Sequence, residues 1–473
     1  REGDYQKLKP AGAAYYDGFI KIDLSKIEPC IALPFHPSNV ITIRELQQNA
    51  KDILAKTEEE NKMSGLNVNF SMKYRDGGVW AQQAIIAGCA GGIYENIMAA
   101  AEILKDKSIG YGNFSMSVYP ESQPTYLELV KNGAVETLVK AGVLVREAFC
   151  GPCFGAGDTP ANNELSIRHV TRNFMNREGS KPNDGQIAYV ALMDARSVAA
   201  TAINGGKITA ATELDIKYGK YSFFFDKTIY DKRVYDGTGN PQAEKELTFG
   251  PNIKDWPKMS ALPENLLIKV VSFITDPVTT TDELIPSGET SSYRSNPEKL
   301  AEFTLSRKDP QYVSRAKEVI AMNNRTLDSE QGTELSDLLS RFSVLTSHAF
   351  GIGSAIYAHK PGDGSAREQA ASCQRVLGGC ANFALEYATK RYRSNLINWG
   401  ILPFVVTGEN LLSLNSYVFF QGIKTAIKEK KEQITGLVLG DTAVEINVTL
   451  GELTGAERQI LLDGCLINYY AKQ

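Results

Sequence analysis

The sequence lacks any long uninterrupted apolar run. Its most apolar stretch, residues 84–104, contains three glycines, Glu95 and Asn96. A helix that spans a bilayer needs about 18 or more consecutive apolar residues. The sequence therefore does not predict a membrane protein.

An excess of charge of either sign is also missing. The 473 residues include 51 basic and 55 acidic side chains, and the formal net charge is -4. Proteins that bind polyanions or anionic membrane surfaces usually present an excess of positive charge. Binding to nucleic acid or to a membrane surface is therefore not predicted, and we expect a small-molecule partner.

Cysteines are few, and their number, seven, is odd. Because the chain is large and shows no spacing typical of a disulfide scaffold, we expect a reducing compartment and a cytoplasmic location. The chain begins at Arg1 without an initiator methionine, and its first twenty residues resemble the end of a linker. We therefore expect a longer polypeptide, in which a targeting segment could precede this region.

Strand and helix patterns alternate over most of the first half of the chain. Apolar runs predict strands at 81–88, 115–120, 143–149 and 186–192. Amphipathic or apolar stretches predict helices at 41–56, 93–106, 126–142 and 194–206, and residues between 149 and 186 are assigned to a Gly/Pro/Asn-rich loop. This alternation predicts a parallel sheet with helices on both faces.

The alternation stops after residue 212. Residues 213–262 are rich in Tyr, Lys, Asp, Gly and Pro, a composition typical of a long surface connection. Strand patterns resume at 266–275 and end at 444–450, before a helix that Thr454 can cap. We divide the chain into a tail of a preceding linker, an α/β domain, a linker and a second α/β domain, at 1–20, 21–212, 213–262 and 263–473.

The stretch Cys150-Gly-Pro-Cys153 has the spelling of a thioredoxin redox motif. A redox pair of that type lies at the amino end of a helix, but Phe-Gly-Ala-Gly-Asp-Thr-Pro follows Cys153 and does not favour the start of a helix. A structural zinc site commonly uses two CxxC pairs, and the sequence has no second pair. A dithiol oxidoreductase stays as an alternative function, and a zinc site is less favoured.

A third cysteine changes the interpretation of this pair. Cys89 lies in a Gly-rich turn between a predicted strand and a predicted helix, and both Cys89 and Cys150 follow strands at the edge where open α/β sheets bind ligands. Three thiolates satisfy three irons of a four-iron cluster and leave the fourth open as a Lewis acid toward a substrate oxygen. The sequence therefore predicts a 4Fe-4S cluster held by Cys89, Cys150 and Cys153.

Six segments, in the same order, resemble motifs of one enzyme superfamily. IKIDLSKIEPCIALPFHPSNV is similar to the entry into its third domain, AGCAGGIYEN to the loop with its first cluster cysteine, and FCGPCFGAGD to the loop with the other two. VTRNFMNREGS is similar to its Asn-Arg-Asn-Phe-x-Gly-Arg segment, TDELIPSGETSSYR to its Asp-His segment, and GDGSAREQAAS to its Gly-Ser-Ser-Arg-Glu-His-Ala-Ala segment. The chain thus resembles the carboxyl-terminal two-thirds of the aconitase superfamily.

The resemblance implies both a fold and an activity. The implied fold is a three-layer α/β/α domain joined by a long linker to a carboxyl-terminal swivelling α/β domain. The implied enzyme is an iron-sulfur-dependent hydro-lyase that dehydrates and rehydrates a hydroxy di- or tricarboxylate, with citrate, cis-aconitate and isocitrate as default substrates. The family's first two domains would then be supplied by the same or another polypeptide.

The resemblance also implies site residues. Ser365 has the position of the catalytic base, and such a serine needs neighbouring positive charge to lower its pKa. Asp282 has the position of an active-site aspartate with a supporting role. Guanidinium groups bind carboxylates through two parallel hydrogen bonds, and the implied substrate-binding residues are Arg172, Arg177, Arg294 and Arg367. The histidines, which do not match catalytic positions and are expected to be structural, are His36, His169, His348 and His359.

The chain departs from the family spelling at several of these positions. The first cysteine loop has Ala90, Gly91 and Gly92 in place of Thr-Asn-Ser, and other replacements are Thr171 for Asn, Glu283 for His and Ala366 for Ser. We expect some hydrogen bonds to be lost and the substrate to differ among branches of the family. A non-catalytic relative, whose cluster senses iron or oxidants and which then binds RNA, is a further alternative that the balanced charge does not favour.

Overall fold

The computed structural model of the chain describes residues 12–63, 65–181, 184–246, 248–288, 290–323, 334–346, 349–407 and 411–473. The strands are β1 (Cys30–Ala32), β2 (Val40–Thr42), β3 (Tyr74–Arg75), β4 (Gly78–Val79), β5 (Gln83–Ala87), β6 (Ser115–Tyr119), β7 (Leu144–Val145), β8 (Leu165–His169), β9 (Tyr189–Met193), β10 (Leu266–Ile274), β11 (Thr279–Thr280), β12 (Gly351–Ala358), β13 (Pro361–Asp363), β14 (Gly379–Ala384), β15 (Leu402–Thr407), β16 (Tyr417–Phe420), β17 (Gln433–Leu439) and β18 (Ala443–Thr449).

The α-helices are α1 (Ile43–Gln48), α2 (Ala50–Met63), α3 (Gly88–Gly91), α4 (Tyr94–Leu104), α5 (Gln123–Lys131), α6 (Ala134–Lys140), α7 (Ala195–Ile203), α8 (Thr228–Asp231), α9 (Thr281–Leu284), α10 (Pro297–Ala301), α11 (Tyr312–Asn323), α12 (Glu334–Arg341), α13 (Ser343–Thr346), α14 (Arg367–Val376), α15 (Lys390–Asn398), α16 (Ile423–Lys428), α17 (Gly455–Asp463) and α18 (Leu466–Tyr470). None of these helices of the described chain is long and apolar enough to cross a bilayer.

The first half of the chain forms one mixed sheet with a parallel centre. Its strand order is β2-β1-β9-β8-β5-β6-β7. Strands β5 to β9 pair in parallel, and β1 and β2 add an antiparallel edge. The predicted α/β class is confirmed. Because the parallel strands end at the same edge, the segments that follow β5, β6, β7 and β8 meet there.

The two faces of this sheet are covered differently. Ala84 and Ile86 of β5 point into a large apolar core shared with α1, α2 and α4 to α7. Ile85 and Ala87 point to the other face, where they form a small cluster with Tyr119 and Val170. Among the described residues, this cluster includes strand and loop side chains but no α-helical residue, so the prediction of helices on both faces is not met there. Buried polar side chains on that face, such as Arg168, bond to the carbonyl oxygens of those loops.

Three local predictions in this half were wrong. The helix expected at 126–142 is divided into α5 and α6, because Gly133 adopts a left-handed conformation with φ of 82°. The strand expected at 143–149 extends over two residues only, in β7. Within the expected loop lies β8, a buried strand at the centre of the sheet. Arg168 and His169 interrupt its apolar pattern, which is why sequence reasoning missed it.

The connection between the two halves packs on the helix layer of the first sheet. Tyr221 donates a hydrogen bond to Glu102 of α4 over 2.5 Å, and Lys131 of α5 lies 2.7 Å from the Asp226 carboxylate. The ring of Phe223 lies 5.4 Å from that of Tyr94. Aromatic and charged side chains of the connection thus bind it to α4 and α5.

The second half of the chain forms a closed barrel. Its strand order is β10-β12-β14-β15-β18-β17-β16; the pairs from β10 to β15 are parallel and the other pairs are antiparallel. Phe383, Phe404 and Phe420 stack in its core, with ring centroids 4.9 to 6.4 Å apart. Helices α14 and α15 share an outer apolar core with α10 and α11. The barrel therefore provides a rigid support for the loop that precedes α14.

Candidate active site

The predicted site residues of the first half lie at the carboxyl edge of its sheet. Cys89 follows β5 in the short helix α3, Cys150 and Cys153 belong to the loop after β7, and Arg172 and Arg177 belong to the loop after β8. This arrangement follows from the parallel pairing of β5, β6, β7 and β8. Residues separated by as many as 88 positions thereby reach one edge.

The turn that carries Cys89 packs closely against neighbouring strand ends. A Cβ atom at Gly91 would overlap the carbonyl oxygen of His169, and one at Gly92 would overlap the carbonyl oxygen of Tyr119. The Asn and Ser side chains of the usual family spelling therefore do not fit this backbone at positions 91 and 92. Glycine at both positions lets the turn rest directly on the ends of β6 and β8.

The three predicted cluster cysteines lie near one another. Cys89 and Cys150 are exposed, and a Cβ atom at Gly88 would lie 3.9 Å from the Cys150 sulfur. Burial raises the pKa of the Cys150 thiol, and the negative charges of Cys153 and Cys89 raise it further. Thiols in such proximity disfavour one another's ionisation unless a cation or a metal group neutralises them.

Cys153 is the more buried member of the pair. Its sulfur lies 3.2 Å from the Thr171 hydroxyl oxygen. Burial raises the pKa of this thiol, but the positive charge of Arg177 and the bond to Thr171 outweigh burial, so the pKa is lowered. Thr171, one of the departures from the family spelling, therefore retains a hydrogen bond to a predicted cluster cysteine.

The donor set fits an iron-sulfur group better than a single metal ion. Within the described residues, no three His, Cys, Asp or Glu side chains are grouped closely enough to hold a metal ion. In an iron-sulfur cluster each thiolate binds a different iron. Cys89, Cys150 and Cys153, on two loops that face each other, have the thiol chemistry that such a group requires.

Sequence reasoning missed the residue that holds the cysteine loop. Arg168 of β8 is 1% exposed. It donates hydrogen bonds to the Pro152 oxygen over 2.6 Å and to the Asp158 oxygen over 2.9 Å. Burial lowers the pKa of Arg168 to about 10, so it stays charged at neutral pH. A charged residue in the middle of an apolar strand pattern is the signal that could have identified it.

Arg177 connects the two halves of the chain. Its guanidinium group donates to the Asp282 carboxylate and, over 3.3 Å, to the Ser365 hydroxyl oxygen. The side chains of Arg177 and Asp282 are both 7% exposed. Burial lowers the pKa of Arg177, but the Asp282 carboxylate and the Cys153 thiolate outweigh burial and raise it. The guanidinium therefore stays charged between the cysteine loop and the barrel.

A capping box orients Asp282. In α9, the Glu283 carboxylate accepts a hydrogen bond from the Thr280 backbone nitrogen over 2.7 Å, and the Thr280 hydroxyl caps the helix in return. Glu283 also lies 3.3 Å from Lys308. Glu283 thus stabilises the turn and leaves Asp282 directed toward Arg177. This contact explains how a carboxylate can replace the family's histidine here.

Ser365 lies in a tight loop before α14. The preceding Gly364 has φ of +126°, and a Cβ atom there would overlap the Thr281 hydroxyl oxygen. That hydroxyl accepts a hydrogen bond from the Ala366 nitrogen over 3.3 Å. Ser365 itself is exposed, and it precedes the amino end of a ten-residue helix, where the partial positive charge favours an anion.

The other predicted arginines surround this junction. Arg172 donates a hydrogen bond to the Thr171 backbone oxygen over 2.6 Å. Burial lowers the pKa of Arg367, and the positive charge of Arg172 adds to this effect. Arg294 lies over the Phe154 ring, 4.8 Å from its centre, and its positive charge offsets part of the rise in the pKa of Cys150. All nine predicted site residues thus lie around one junction between the sheet edge and the barrel. Their chemical roles stay predictions.

The predicted structural histidines lie in various places. The His36 ring nitrogen lies 3.6 Å from the Asp363 carboxylate. Burial lowers the pKa of His169, and the ring of His359 lies 5.8 Å from that of Tyr357. His348 lies outside the described residues.

Comparison with known proteins identifies the class of the first half. Residues 1–205 match the sequence profile of the aconitase family (aconitate hydratase). This match supports membership of the aconitase superfamily for that part of the chain, which is less than half of its length. The match ends before Asp282, Arg294, Ser365 and Arg367.

Individual relatives have a more specific name. A 3-isopropylmalate dehydratase large subunit from Campylobacter jejuni is 32% identical over 203 residues, which is 42% of this chain and 42% of that protein. The corresponding protein of Clostridioides difficile is 29% identical over 202 residues, 42% of this chain and 39% of that protein. The chain thus spans about two-fifths of the length of these curated relatives.

Solved structures were also compared. A crystal structure of 3-isopropylmalate dehydratase (leuD) from Methanocaldococcus jannaschii covers 44% of this chain and 94% of that protein, at 23% identity and a TM-score of 0.28. This likeness is too low to support an argument about fold or function.

Proposed function

We propose that the chain is the carboxyl-terminal part of an iron-sulfur-dependent hydro-lyase that dehydrates and rehydrates a hydroxy dicarboxylate. The observation that carries the proposal is the contact of Arg177 with both Asp282 and Ser365 beside Cys153. Three residues from separate parts of the chain meet there beside the thiol pair. Such convergence of charged and nucleophilic groups is typical of active sites.

Cys89, Cys150 and Cys153 would hold the 4Fe-4S cluster. When bound, the cluster would supply a Lewis acid for the oxygen that leaves the substrate. Arg177 keeps the pKa of the Cys153 thiol low, so this ligand is readily ionised. The proposal of a cluster therefore agrees with the chemistry of the side chains.

Ser365 would remove the carbon-bound proton. Its hydroxyl oxygen accepts a hydrogen bond from Arg177 over 3.3 Å, and the amino end of α14 adds partial positive charge. Both features favour the alkoxide over the neutral hydroxyl. Asp282 would hold the Arg177 guanidinium in place while Arg177 donates to Ser365. Asp282 has this supporting role in our proposal.

The substrate proposal differs from the default suggested by the sequence. The matched relatives are named 3-isopropylmalate dehydratase large subunits, and only the description of the family, aconitate hydratase, points to citrate. We therefore propose a malate-type hydroxy dicarboxylate, with isopropylmalate as the first candidate. Arg172, Arg294 and Arg367 would bind its carboxylates.

Other parts of the active site would come from outside these 473 residues. The chain spans about two-fifths of its relatives, and those relatives are named large subunits. We propose that aconitase-type amino-terminal domains, on the same or another polypeptide, complete the site. A cytoplasmic location stays a prediction.

The experiment begins with anaerobic preparation of the 473-residue chain and of its complex with amino-terminal aconitase-type domains. We expect about four irons and four sulfides per chain with broad visible absorption. Hydration of the unsaturated acid is then followed by absorbance, with isopropylmalate and isocitrate compared in the reverse direction. Ser365→Ala should reduce kcat by at least about a hundredfold and leave the cluster intact.

Ser340→Ala is the matched control, because this serine is exposed on α12, away from the site. It should leave activity unchanged. Hydratase activity that survives in Ser365→Ala with an intact cluster would make the assignment of the base wrong. A colourless protein that reduces disulfides would instead support the dithiol oxidoreductase, and an intact cluster without hydratase activity in the complex would support an iron-sensing relative.

A further inference from the structure

A group of arginines beside Ser365 contains one member that neither the motifs nor the comparisons identify. Arg391 is the second residue of α15. Arg391 and Arg172 lie close enough to Arg367 for their positive charges, together with burial, to lower the pKa of Arg367. Asp363 is the acidic side chain that acts on Arg367 in the opposite direction. Arg367 therefore experiences the positive charges of two other arginines and the negative charge of Asp363.

The backbone of Arg391 is firmly connected to the loop of Ser365. The next residue, Tyr392, is completely buried, and a Cβ atom at Gly362 would overlap its ring. The Thr389 hydroxyl caps α15 and donates to the Gly362 oxygen over 3.3 Å. Gly362 lies three residues before Ser365. The amino end of α15 is thus packed against the strand that leads into the Ser365 loop.

The guanidinium groups of this cluster are poorly paired. Within the described residues, no carboxylate forms an ion pair with Arg172, Arg367 or Arg391 within 4 Å, and the buried Arg367 Nε atom has no hydrogen-bond partner. Like charges held together without counter-charges destabilise a protein. A carboxylate bound among them would neutralise the repulsion and accept the unused hydrogen bonds.

We propose that Arg391 is a further substrate-binding residue, which acts with Arg172 and Arg367 to bind the substrate carboxylate that lies farthest from the Arg177–Asp282 pair. The inference rests on the proposed function, because it requires a substrate with at least two carboxylates. Arg177 is occupied by Asp282, whereas these three guanidinium groups are available. Arg391 would thereby contribute to affinity and to the preference for dicarboxylates over monocarboxylates.

The test is a binding measurement on the 473-residue chain in its complex with the aconitase-type amino-terminal domains. The probes are 2-isopropylsuccinate and tricarballylate, which carry two and three carboxylates but no hydroxyl group that could be eliminated. Titration calorimetry at about 0.15 M salt, where exposed charges are screened beyond about 8 Å, gives Kd for the original complex and for the complexes of Arg391→Gln and Arg391→Lys. We expect Arg391→Gln to weaken binding of the tighter probe about tenfold or more, and Arg391→Lys to weaken it less.

Lys390→Gln is the matched control, because it removes the same charge from the neighbouring position of the same helix end. It should change Kd less than about twofold, since an exposed charge without direct contact is screened. Equal effects of Lys390→Gln and Arg391→Gln would overturn the proposal, because they would indicate that any positive charge at this helix end attracts the probe without direct contact. An unchanged Kd in folded Arg391→Gln, or no binding of either probe to the original complex, would also overturn it.

Failure of this proposal can be distinguished from failure of the proposed function. Binding of these probes requires neither elimination nor the base Ser365. Active Ser365→Ala protein would refute the base assignment and leave the Arg391 result standing. Conversely, a hydro-lyase that depends on Ser365 but tolerates Arg391→Gln in both Kd and KM would refute only the role of Arg391.

Discussion

Replacing Asp282 by asparagine should destabilise the protein strongly, because it removes one partner of a buried ion pair. Asparagine preserves the volume of the side chain. It also preserves the side-chain oxygen that accepts a hydrogen bond from the Ser287 hydroxyl over 2.8 Å. The change therefore isolates the loss of charge. The Arg177 guanidinium remains in place with its charge uncompensated, and the same pair connects the sheet edge to the barrel.

The expected magnitude follows from burial. Both side chains are 7% exposed. Removing one partner of such a buried pair costs about 3 to 5 kcal/mol, because the remaining charge stays desolvated. Asparagine can still accept one hydrogen bond, so we expect a loss near the lower limit, about 3 kcal/mol. An apolar pair, Arg177→Met with Asp282→Leu, should recover at least half of this loss.

Urea unfolding of the apo chain, followed by far-ultraviolet circular dichroism, measures the free energy of unfolding by linear extrapolation. The matched control is Glu298→Gln, which breaks the Lys254–Glu298 pair at the surface. Its side chains are 55% and 50% exposed. An exposed pair contributes about 0 to 1 kcal/mol, so this variant should unfold almost like the original chain.

The reasoning would be refuted by a small effect. If Asp282→Asn lowers the free energy of unfolding by less than about 1 kcal/mol, the pair behaves like an exposed one. A double replacement that is no more stable than Asp282→Asn would also contradict the argument. In that case the loss would arise from packing around residue 282 and not from an unpaired guanidinium.

Two further substitutions test the loops that carry the site. Gly364→Ala should lower both the stability and the hydro-lyase activity of the complex, because φ is +126° and the new Cβ atom would overlap the Thr281 hydroxyl. Gly455→Ala is the control. It should alter neither property, because no atom lies within 4 Å of its Cβ position. Glu283→Ala removes the capping box with Thr280 and should cost about 1 kcal/mol in urea unfolding. Full activity of folded Gly364→Ala, or a cost below about 0.3 kcal/mol for Glu283→Ala, would contradict these accounts.

The site was easier to predict than the sheet that carries it. Cys89, Cys150 and Cys153 could be grouped because Cys89 and Cys150 follow predicted strands and each of the three lies beside glycine or proline. The central strand β8 could not be recognised, because Arg168 and His169 break its apolar run. Their burial depends on loop carbonyls that only the folded chain brings near. The proposed role of Arg391 could not be inferred from the sequence for a similar reason, since an exposed arginine at a helix start has no distinctive local pattern.

The sequence alone determined what depends on neighbouring residues: the alternation of strands and helices, the glycine-rich turns, the cysteine spacing and the arginine segment. The tertiary structure decided which of these residues meet. Arg177 and Asp282 are 105 positions apart, and Arg177 and Ser365 are 188 apart. Their contact depends on how the barrel packs against the sheet edge. Local hydrophobic periodicity specifies the elements, but the balance of burial and charge pairing in the assembled chain specifies their contacts.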